Sequence, residues 1–155
     1  MIYRFEDIAD DLPLLPMAAR RALDRAGRKL SLRGWQSLPL ERRQVVVAEG
    51  AKPIVEVTAV VEAIAGAEPA AEAMTPDDET RLAVPPPGLA DRIGERWAEL
   101  TPLARFAIAH AVKRGDAARL ERTLAELIPD VAEKRLTHLD DEGQARMVDV
   151  GQKAI

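Results

Sequence analysis

Basic side chains dominate the part of the chain where residue types and spacing most clearly suggest a chemical role. Residues 20–43 contain eight arginines and lysines but only two acids, and residues 44–81 reverse this balance with eight acids and two bases. Five of the bases form a dense group: Arg20, Arg21, Arg25, Arg28 and Lys29. Because such groups bind carboxylates and phosphates, we predict that they contact an acidic protein surface or a phosphate-bearing ligand. The simpler alternative is that both charge blocks are solvated helix surfaces that offset one another.

The sequence offers little for catalysis or metal binding. It has no cysteine, which excludes thiol catalysis, disulfides and Cys-ligated metals, and its two histidines, His110 and His138, are far apart. No phosphate-binding glycine loop or nucleophile elbow is present. The acidic run Asp77-Asp78-Glu79 lies in a proline-rich stretch, where solvation is the simplest interpretation. We therefore expect a protein that is not an enzyme, with no catalytic, cofactor-binding or metal-binding residues and no cofactor.

The two tryptophans occupy matching local frames. Trp35 and Trp97 each have a leucine three residues later and an arginine eight residues later, Arg43 and Arg105. Upstream, Leu23-Asp24-Arg25-Ala26-Gly27 is echoed by Ala90-Asp91-Arg92-Ile93-Gly94. This predicts an internal pseudo-repeat of helical units, in which the tryptophans and arginines are structural anchors. The alternative is that the tryptophans form a ligand platform and the arginines bind an anion.

Helix signals account for most of the chain between residues 15 and 128. Aliphatic residues recur at helical spacing, and Ser, Thr, Asp, Pro and Gly stand where helices begin and end. We predict helices from Pro16 to Gly27, after Ser31, from Ser37 and Pro39 to about Ala48, from Ile54 to Ile64, from about Leu89 through Trp97, from Thr101 to Arg114, and from Asp116 to Ile128. In the sixth of these, His110 is expected to be a packed or surface residue.

These elements predict an all-α fold in one compact helical domain with the internal pseudo-repeat. The domain spans residues 1–129 and includes an exposed linker at about 65–87, which is rich in Ala, Glu and Pro. Residues 130–155 form a tail, either flexible or an edge strand. Because the sequence lacks a signal segment and any apolar run of about 20 residues, we expect a cytoplasmic protein without membrane contact.

A set of motifs across residues 5–128 resembles the nitrate reductase-associated protein family. The motifs are Phe5-Glu6, Leu15-Pro16-Met17, Arg20, Leu23-Asp24-x-x-Gly27-x-Lys29-Leu30-x-Leu32-x-x-Trp35, Arg43 and Trp97-x-x-Leu100-Thr101-Pro102-Leu103-x-Arg105-Phe106-Ala107. The resemblance implies a small helical protein without established enzymatic activity, with an accessory or maturation role for a molybdenum-dependent reductase. Some members carry cysteines where this chain has Leu14 and Ala26, so any role of those thiols is absent here.

The C-terminal residues 136–154 resemble a different protein. The run begins with Leu136-Thr137-His138, contains Gly143 and continues as Met147-Val148-Asp149-Val150 to Lys153. This looks like the opening segment of cyclic pyranopterin monophosphate synthase, a molybdenum cofactor biosynthesis enzyme. The catalytic residues of that family lie further downstream, so the resemblance assigns none to this chain.

Three functions follow in order of preference. The first is a non-catalytic accessory or maturation factor that contacts nitrate reductase or the molybdenum cofactor machinery, with Arg20, Arg21, Arg25, Arg28 and Lys29 as the contact residues. The second is the N-terminal domain of a longer bifunctional pterin synthase that is cut at Ile155. The third is a nucleic-acid-binding helical module, against which the net charge of −4 and the scarcity of aromatic residues argue.

Overall fold

The computed structural model describes residues 1–131 and confirms the all-α fold. Its α-helices are α1 (Met17–Ala26), α2 (Leu32–Ser37), α3 (Leu40–Gly50), α4 (Val57–Ile64), α5 (Ala90–Ile93), α6 (Pro102–Arg114) and α7 (Ala117–Leu127). Short 3₁₀ helices cover Arg4–Glu6, Glu79–Ala83 and Gly94–Glu99. The strands β1 (Arg28–Lys29) and β2 (Glu72–Ala73) pair in antiparallel orientation, with Arg28 opposite Ala73 and Lys29 opposite Glu72.

Most of the predicted helix caps are confirmed. At three helix starts a side-chain oxygen accepts a hydrogen bond from a backbone N–H of the first turn, at 3.0–3.1 Å: Ser31 for α2, Thr101 for α6 and Asp116 for α7. At the end of α1, Gly27 has a φ of 67° and its N–H bonds back to the helix. Gly115 ends α6 in the same left-handed conformation. Such local signals set the helix boundaries because the capping atoms lie within one turn of the groups they satisfy.

The centre of the fold is the close contact between α1 and α3. Ala18, Ala19 and Ala22 of α1 are fully buried. Gly50 at the end of α3 lies so near α1 that a Cβ added there would stand 1.6 Å from the Ala18 carbonyl oxygen. Small residues therefore allow the two backbones to approach, and the aliphatic side chains of α4 and of the N-terminal segment complete this core.

The pseudo-repeat is visible as two equivalent arrangements, which we call the tryptophan clamps. Trp35 and Trp97 are buried, and their indole N–H groups donate to the carbonyl oxygens of Leu12 (2.9 Å) and Leu82 (2.7 Å). The arginine eight residues after each tryptophan donates to that same carbonyl, from Arg43 at 3.1 Å and from Arg105 at 3.4 Å.

Each arginine also binds the carbonyl of the residue after its tryptophan. These bonds run from Arg43 to Gln36 at 3.1 Å and from Arg105 to Ala98 at 3.2 Å. Arg105 additionally lies over the Trp97 ring, at 5.8 Å from its centroid. The glycines upstream match as well, because α1 ends at Gly27 and α5 at Gly94, both with positive φ.

Three predicted helix boundaries differ from the structure. Ile54 is 85% exposed and precedes α4, which begins only at Val57, because the backbone at Glu56 is extended and Val55 enters the core ahead of the helix. The helix predicted from Leu89 through Trp97 is interrupted at Gly94, whose φ of 57° separates α5 from a 3₁₀ helix. Ser37 does not cap α3. It ends α2, and its hydroxyl bonds the Gly34 carbonyl and the Glu68 N–H.

The stretch 65–87 is not a free linker, although most of its side chains are exposed. It contributes β2 to the strand pair, buries Ala67 in the core, and carries Glu79 to Arg21 of α1. Its exposure agrees with the prediction, and strand pairing and a long-range ion pair show that it is ordered against α1, a point that the sequence leaves open.

The remaining sequence predictions concern residues that the structure does not describe. The tail predicted at 130–155 lies outside the described residues except for Asp130 and Val131, and so does the synthase-like segment 136–154. The boundary between the helical domain and the tail at residue 129 stays a prediction. Within residues 1–131, no helix is both long enough and apolar enough to cross a membrane.

Candidate anion-binding cleft

A cleft of about 480 Å³ opens between α1 and α6 and is bordered by residues 74–82. We call this the α1–α6 cleft. Polar and apolar side chains from α1, α6 and residues 74–82 line it, together with Arg28 and Lys29 of the strand β1. A volume of this size lies within the usual range for small-molecule sites, roughly 300–1,000 Å³.

Helical periodicity places the side chains along both long sides of the cleft. On α1, Arg20, Leu23 and Asp24 have the i, i+3, i+4 spacing of a single helix face. On α6, Phe106, Ala109, His110 and Lys113 follow the i, i+3, i+4, i+7 pattern. The two faces meet because α1 and α6 pack against each other.

Three of the five predicted partner-binding residues lie in the cleft: Arg20, Arg28 and Lys29. Arg20 and Lys29 are exposed, while Arg28 is half-buried and donates to the carbonyl oxygens of Ala26 and Gly27, both at 3.2 Å. The two-residue strand β1 carries Arg28 and Lys29 to the cleft directly after the turn at Gly27.

Arg21 belongs to the interior of the protein. Its side chain is 1% exposed, and its guanidinium makes five hydrogen bonds. Three go to the carbonyl oxygens of Gly50, the last residue of α3, and of Lys52 and Pro53 just after it, and two go to the Glu79 carboxylate. A cation at a helix C-terminus is electrostatically favourable and satisfies carbonyls that the helix leaves free. The prediction that Arg21 contacts a partner is therefore corrected in this structure, because all five donors are used internally.

Arg25 is also engaged internally. Its guanidinium lies 3.2 Å from Asp24 and 3.7 Å from Glu79, and it donates to the Asp77 carbonyl. Like Arg21, it lies outside the lining of the cleft. The five basic residues thus form two groups. Arg20, Arg28 and Lys29 line the cleft, whereas Arg21 and Arg25 bind acids and carbonyls of the chain itself.

The acidic run Asp77-Asp78-Glu79 borders the cleft but serves mainly to fix residues 74–82. Glu79 binds Arg21, and the Asp77 N–H donates to Asp24 at 3.2 Å. Asp78 caps the following 3₁₀ helix through two bonds from Thr80, and these bonds lower the pKa of its carboxyl group. Simple solvation, which the sequence suggests, describes these residues only in part.

The cationic side of the cleft is less completely paired than its acidic side. Arg20, Arg28, Lys29 and Arg81 have no carboxylate within 4.0 Å among residues 1–131, and Lys113 meets only Asp77, at 3.8 Å. By contrast, Asp24 and Glu79 are paired with Arg25 and Arg21, which lie outside the cleft. The cleft therefore presents cationic groups that are free to meet an anion.

His110 lies among these cations. It is half-buried and stacks on Phe106, with ring centroids 6.1 Å apart, and its Nδ1 is buried without a hydrogen-bond partner in the described part of the chain. Burial lowers its pKa to about 4, and the positive charges of Arg20, Arg114, Arg119 and Lys113 act in the same direction. At neutral pH the imidazole is therefore uncharged.

The predicted anchor residues lie in the tryptophan clamps. Trp35, Arg43, Trp97 and Arg105 do not line the cleft, but the second clamp holds the backbone of Leu82, whose side chain does. The spacing of Phe106, His110 and Lys113 in the sequence indicates the face of α6 that lines the cleft. It did not indicate that this face meets α1. Among residues 1–131, no group of three or more His, Asp or Glu side chains is arranged to hold a metal ion.

The comparisons with known proteins concern the first part of the chain. The sequence model of the conserved nitrate reductase-associated protein family matches residues 2–86. No curated protein and no solved structure matches the chain. The matched range includes α1, the first tryptophan clamp and the α1, β1 and 74–82 sides of the cleft, and it ends before Trp97 and His110.

Proposed function

This chain belongs to the conserved nitrate reductase-associated protein family, and we propose that it is a non-catalytic accessory factor of a molybdenum-dependent nitrate reductase. It would act in the cytoplasm by protein–protein contact and assist the maturation of the enzyme. The family description supports an association with the reductase. The mode of action is our inference from the surface of the chain.

The observation that carries the contact is the unpaired cationic surface of the α1–α6 cleft. Arg20 and Lys29 are exposed, come from adjacent elements and have no carboxylate within 4.0 Å among residues 1–131. An acidic patch on the partner would complement them and would accelerate association through long-range attraction. Arg28 belongs to the same surface, although its two carbonyl contacts restrain it.

The non-catalytic part of the proposal is supported by the roles of the acidic groups in the cleft. Asp24 and Glu79 form ion pairs, and Asp78 caps a helix. Groups engaged in this way hold the fold together. A general base, by contrast, needs a free lone pair within reach of a substrate, and the imidazole of His110, with a pKa of about 4, is only a weak base.

Affinity purification of the tagged chain from nitrate-grown cells tests the contact. We expect the reductase to copurify with the unmodified chain and to decrease at least about fivefold with Arg20→Glu/Lys29→Glu, since two favourable charge contacts become repulsive. The matched control is Arg33→Glu/Arg122→Glu, which reverses two exposed charges that lie outside the cleft. Equal loss in both variants would contradict the assigned surface, and absence of the reductase from every sample would contradict the contact itself.

The maturation role requires a second measurement. Reductase purified from a strain without this gene should contain less molybdenum per polypeptide than reductase from the parent strain. The missing molybdenum should return with the unmodified gene and not with the Arg20→Glu/Lys29→Glu variant. Equal molybdenum content and activity in the two strains would rule out maturation as the function.

A further inference from the structure

We propose that the α1–α6 cleft is a binding site for a small organic anion with an apolar body. The anionic group, a carboxylate or a phosphate, would bind Arg20 and Lys29, while the apolar body would lie against Leu15, Leu23 and Phe106. This inference does not depend on the proposed role in nitrate reductase maturation, because it concerns a ligand of the isolated chain.

The charge distribution favours an anion. The cleft is lined by five basic and four acidic side chains, and the acids are already used. Asp24 and Glu79 pair with arginines outside the cleft, Asp78 bonds Thr80, and Asp77 lies in a long, exposed contact with Lys113. The potential that remains for a ligand is therefore positive, and the concave shape of the cleft strengthens it.

The apolar lining argues for an organic ligand over a simple ion. Leu15, Leu23, Leu30, Leu82 and Phe106 all border the cleft. Leu23 and Leu30 belong to the buried core, and Phe106 and Leu15 pack against that core while remaining partly exposed. An inorganic anion would leave this apolar surface in contact with water, whereas an apolar body would cover it.

His110 provides an internal reporter for this site. The charges that act on its ring are cationic and come from three helices: Arg20 of α1, Lys113 and Arg114 of α6, and Arg119 of α7. Asp77, which lines the same cleft, already meets Lys113. An anion bound beside these cations would offset their field. It would therefore raise the pKa of His110 above its value of about 4.

The test uses probes that separate the two parts of the ligand. 2-Naphthyl phosphate and 2-naphthoate combine an apolar body with an anionic group, 2-naphthol provides mainly the body, and inorganic phosphate only the charge. Binding to the full chain is measured by calorimetry at low salt. The histidine signals are followed by NMR in a His138→Ala variant, in which His110 is the only histidine.

We expect one or both anionic naphthyl probes to bind at least about tenfold more tightly than 2-naphthol and inorganic phosphate, because only they use both surfaces. Arg20→Gln/Lys29→Gln should weaken that binding by about fivefold for each charge removed. Arg33→Gln/Arg122→Gln should leave it unchanged, and the bound probe should raise the pKa of His110.

Two results would overturn the proposal. One is that neither anionic probe binds more tightly than 2-naphthol. The other is that binding is insensitive to Arg20→Gln/Lys29→Gln in protein whose circular dichroism and melting temperature match those of the unmodified chain. Failure of reductase copurification would leave these measurements unaffected, so the two proposals can fail separately.

Discussion

Arg21 and Glu79, 58 residues apart in sequence, form a two-point ion pair in which Nε and Nη2 meet the two carboxylate oxygens at 3.0 and 3.1 Å. Arg21 is almost fully buried, and its remaining hydrogen bonds go to three carbonyls at and just after the end of α3. One side chain of α1 therefore joins the end of α3 to the segment that follows α4. The position of residues 74–82, and with it the shape of the cleft, depends on this pair.

Removing either member of this pair should destabilise the fold by unequal amounts. Arg21→Met leaves three carbonyls and Glu79 without their donor, so we expect a loss of about 3–5 kcal/mol. Glu79→Gln keeps the arginine bonded to the carbonyls and should cost about 1–3 kcal/mol. Urea unfolding followed by circular dichroism measures both, with the exposed Glu68→Gln as control. A loss below about 1 kcal/mol for Arg21→Met would contradict the role of this side chain.

The tryptophan clamps predict that lysine cannot replace either arginine. Arg43 and Arg105 each bind carbonyls through several nitrogens of a planar group, which an ammonium does not reproduce. We expect Arg43→Lys and Arg105→Lys each to lower the free energy of unfolding by about 1–2 kcal/mol. Arg33→Lys, on an exposed side chain, should change it by less than about 0.5 kcal/mol. Thermal and urea unfolding measure these changes. If either clamp variant lost no more stability than Arg33→Lys, the two copies would not be equivalent.

Gly50→Ala should destabilise the protein, although the same change within an exposed helix normally stabilises it by about 1 kcal/mol. The added Cβ would meet the Ala18 backbone at 1.6 Å, so α1 and α3 would have to separate. We expect a cost of about 3 kcal/mol or more, measured as a lower urea midpoint. The opposite change on the same helix, Ala48→Gly at an exposed position, should cost only about 1 kcal/mol. A Gly50→Ala chain as stable as the parent would show that the two helices are further apart.

His110 should make stability depend on pH below neutrality. Its pKa is about 4 in the folded protein and near 6.5 when it is free, so the unfolded chain binds the extra proton first. Stability is therefore complete well above pH 6.5 and is lost as the pH falls through that value towards 4, by about 3 kcal/mol in total. His110→Gln should remove this loss. The urea midpoint of the variant should therefore rise relative to that of the parent as the pH is lowered from 7.5 to 5. Parallel curves for the two proteins over this range would contradict the depressed pKa.

The elements that the sequence predicts correctly are those whose signals are local. Ser31, Thr101, Asp116 and Gly27 each satisfy a helix end within one turn, and the tryptophan spacing is repeated in the structure as two matching clamps. The cleft was predictable only in part. The basic group is evident from composition, but the inward direction of Arg21 depends on α3, against which α1 packs. Ala18 and Ala22, which flank Arg21 on α1, are the one sequence feature that indicates close packing around it.

The segment 65–87 was not predictable from its composition. Its Ala, Glu and Pro residues are typical of linkers, and β2 is only two residues long, too short to show an alternating pattern. Its attachment comes from single contacts with distant residues, above all Glu79 with Arg21 and β2 with β1. Such contacts depend on the folded backbone and leave no periodic pattern in the sequence.

The two tryptophan clamps grip different segments with the same atoms. The first holds the carbonyl of Leu12, in the stretch that leads into α1, and the second holds that of Leu82, at the border of the cleft. Because every residue has the same backbone carbonyl, the segment that accepts these hydrogen bonds can have any sequence, whereas the donors must be tryptophan and arginine. The same set of hydrogen bonds can therefore hold unrelated segments. Here one copy holds the segment that precedes α1 against the core, and the other holds one edge of the α1–α6 cleft.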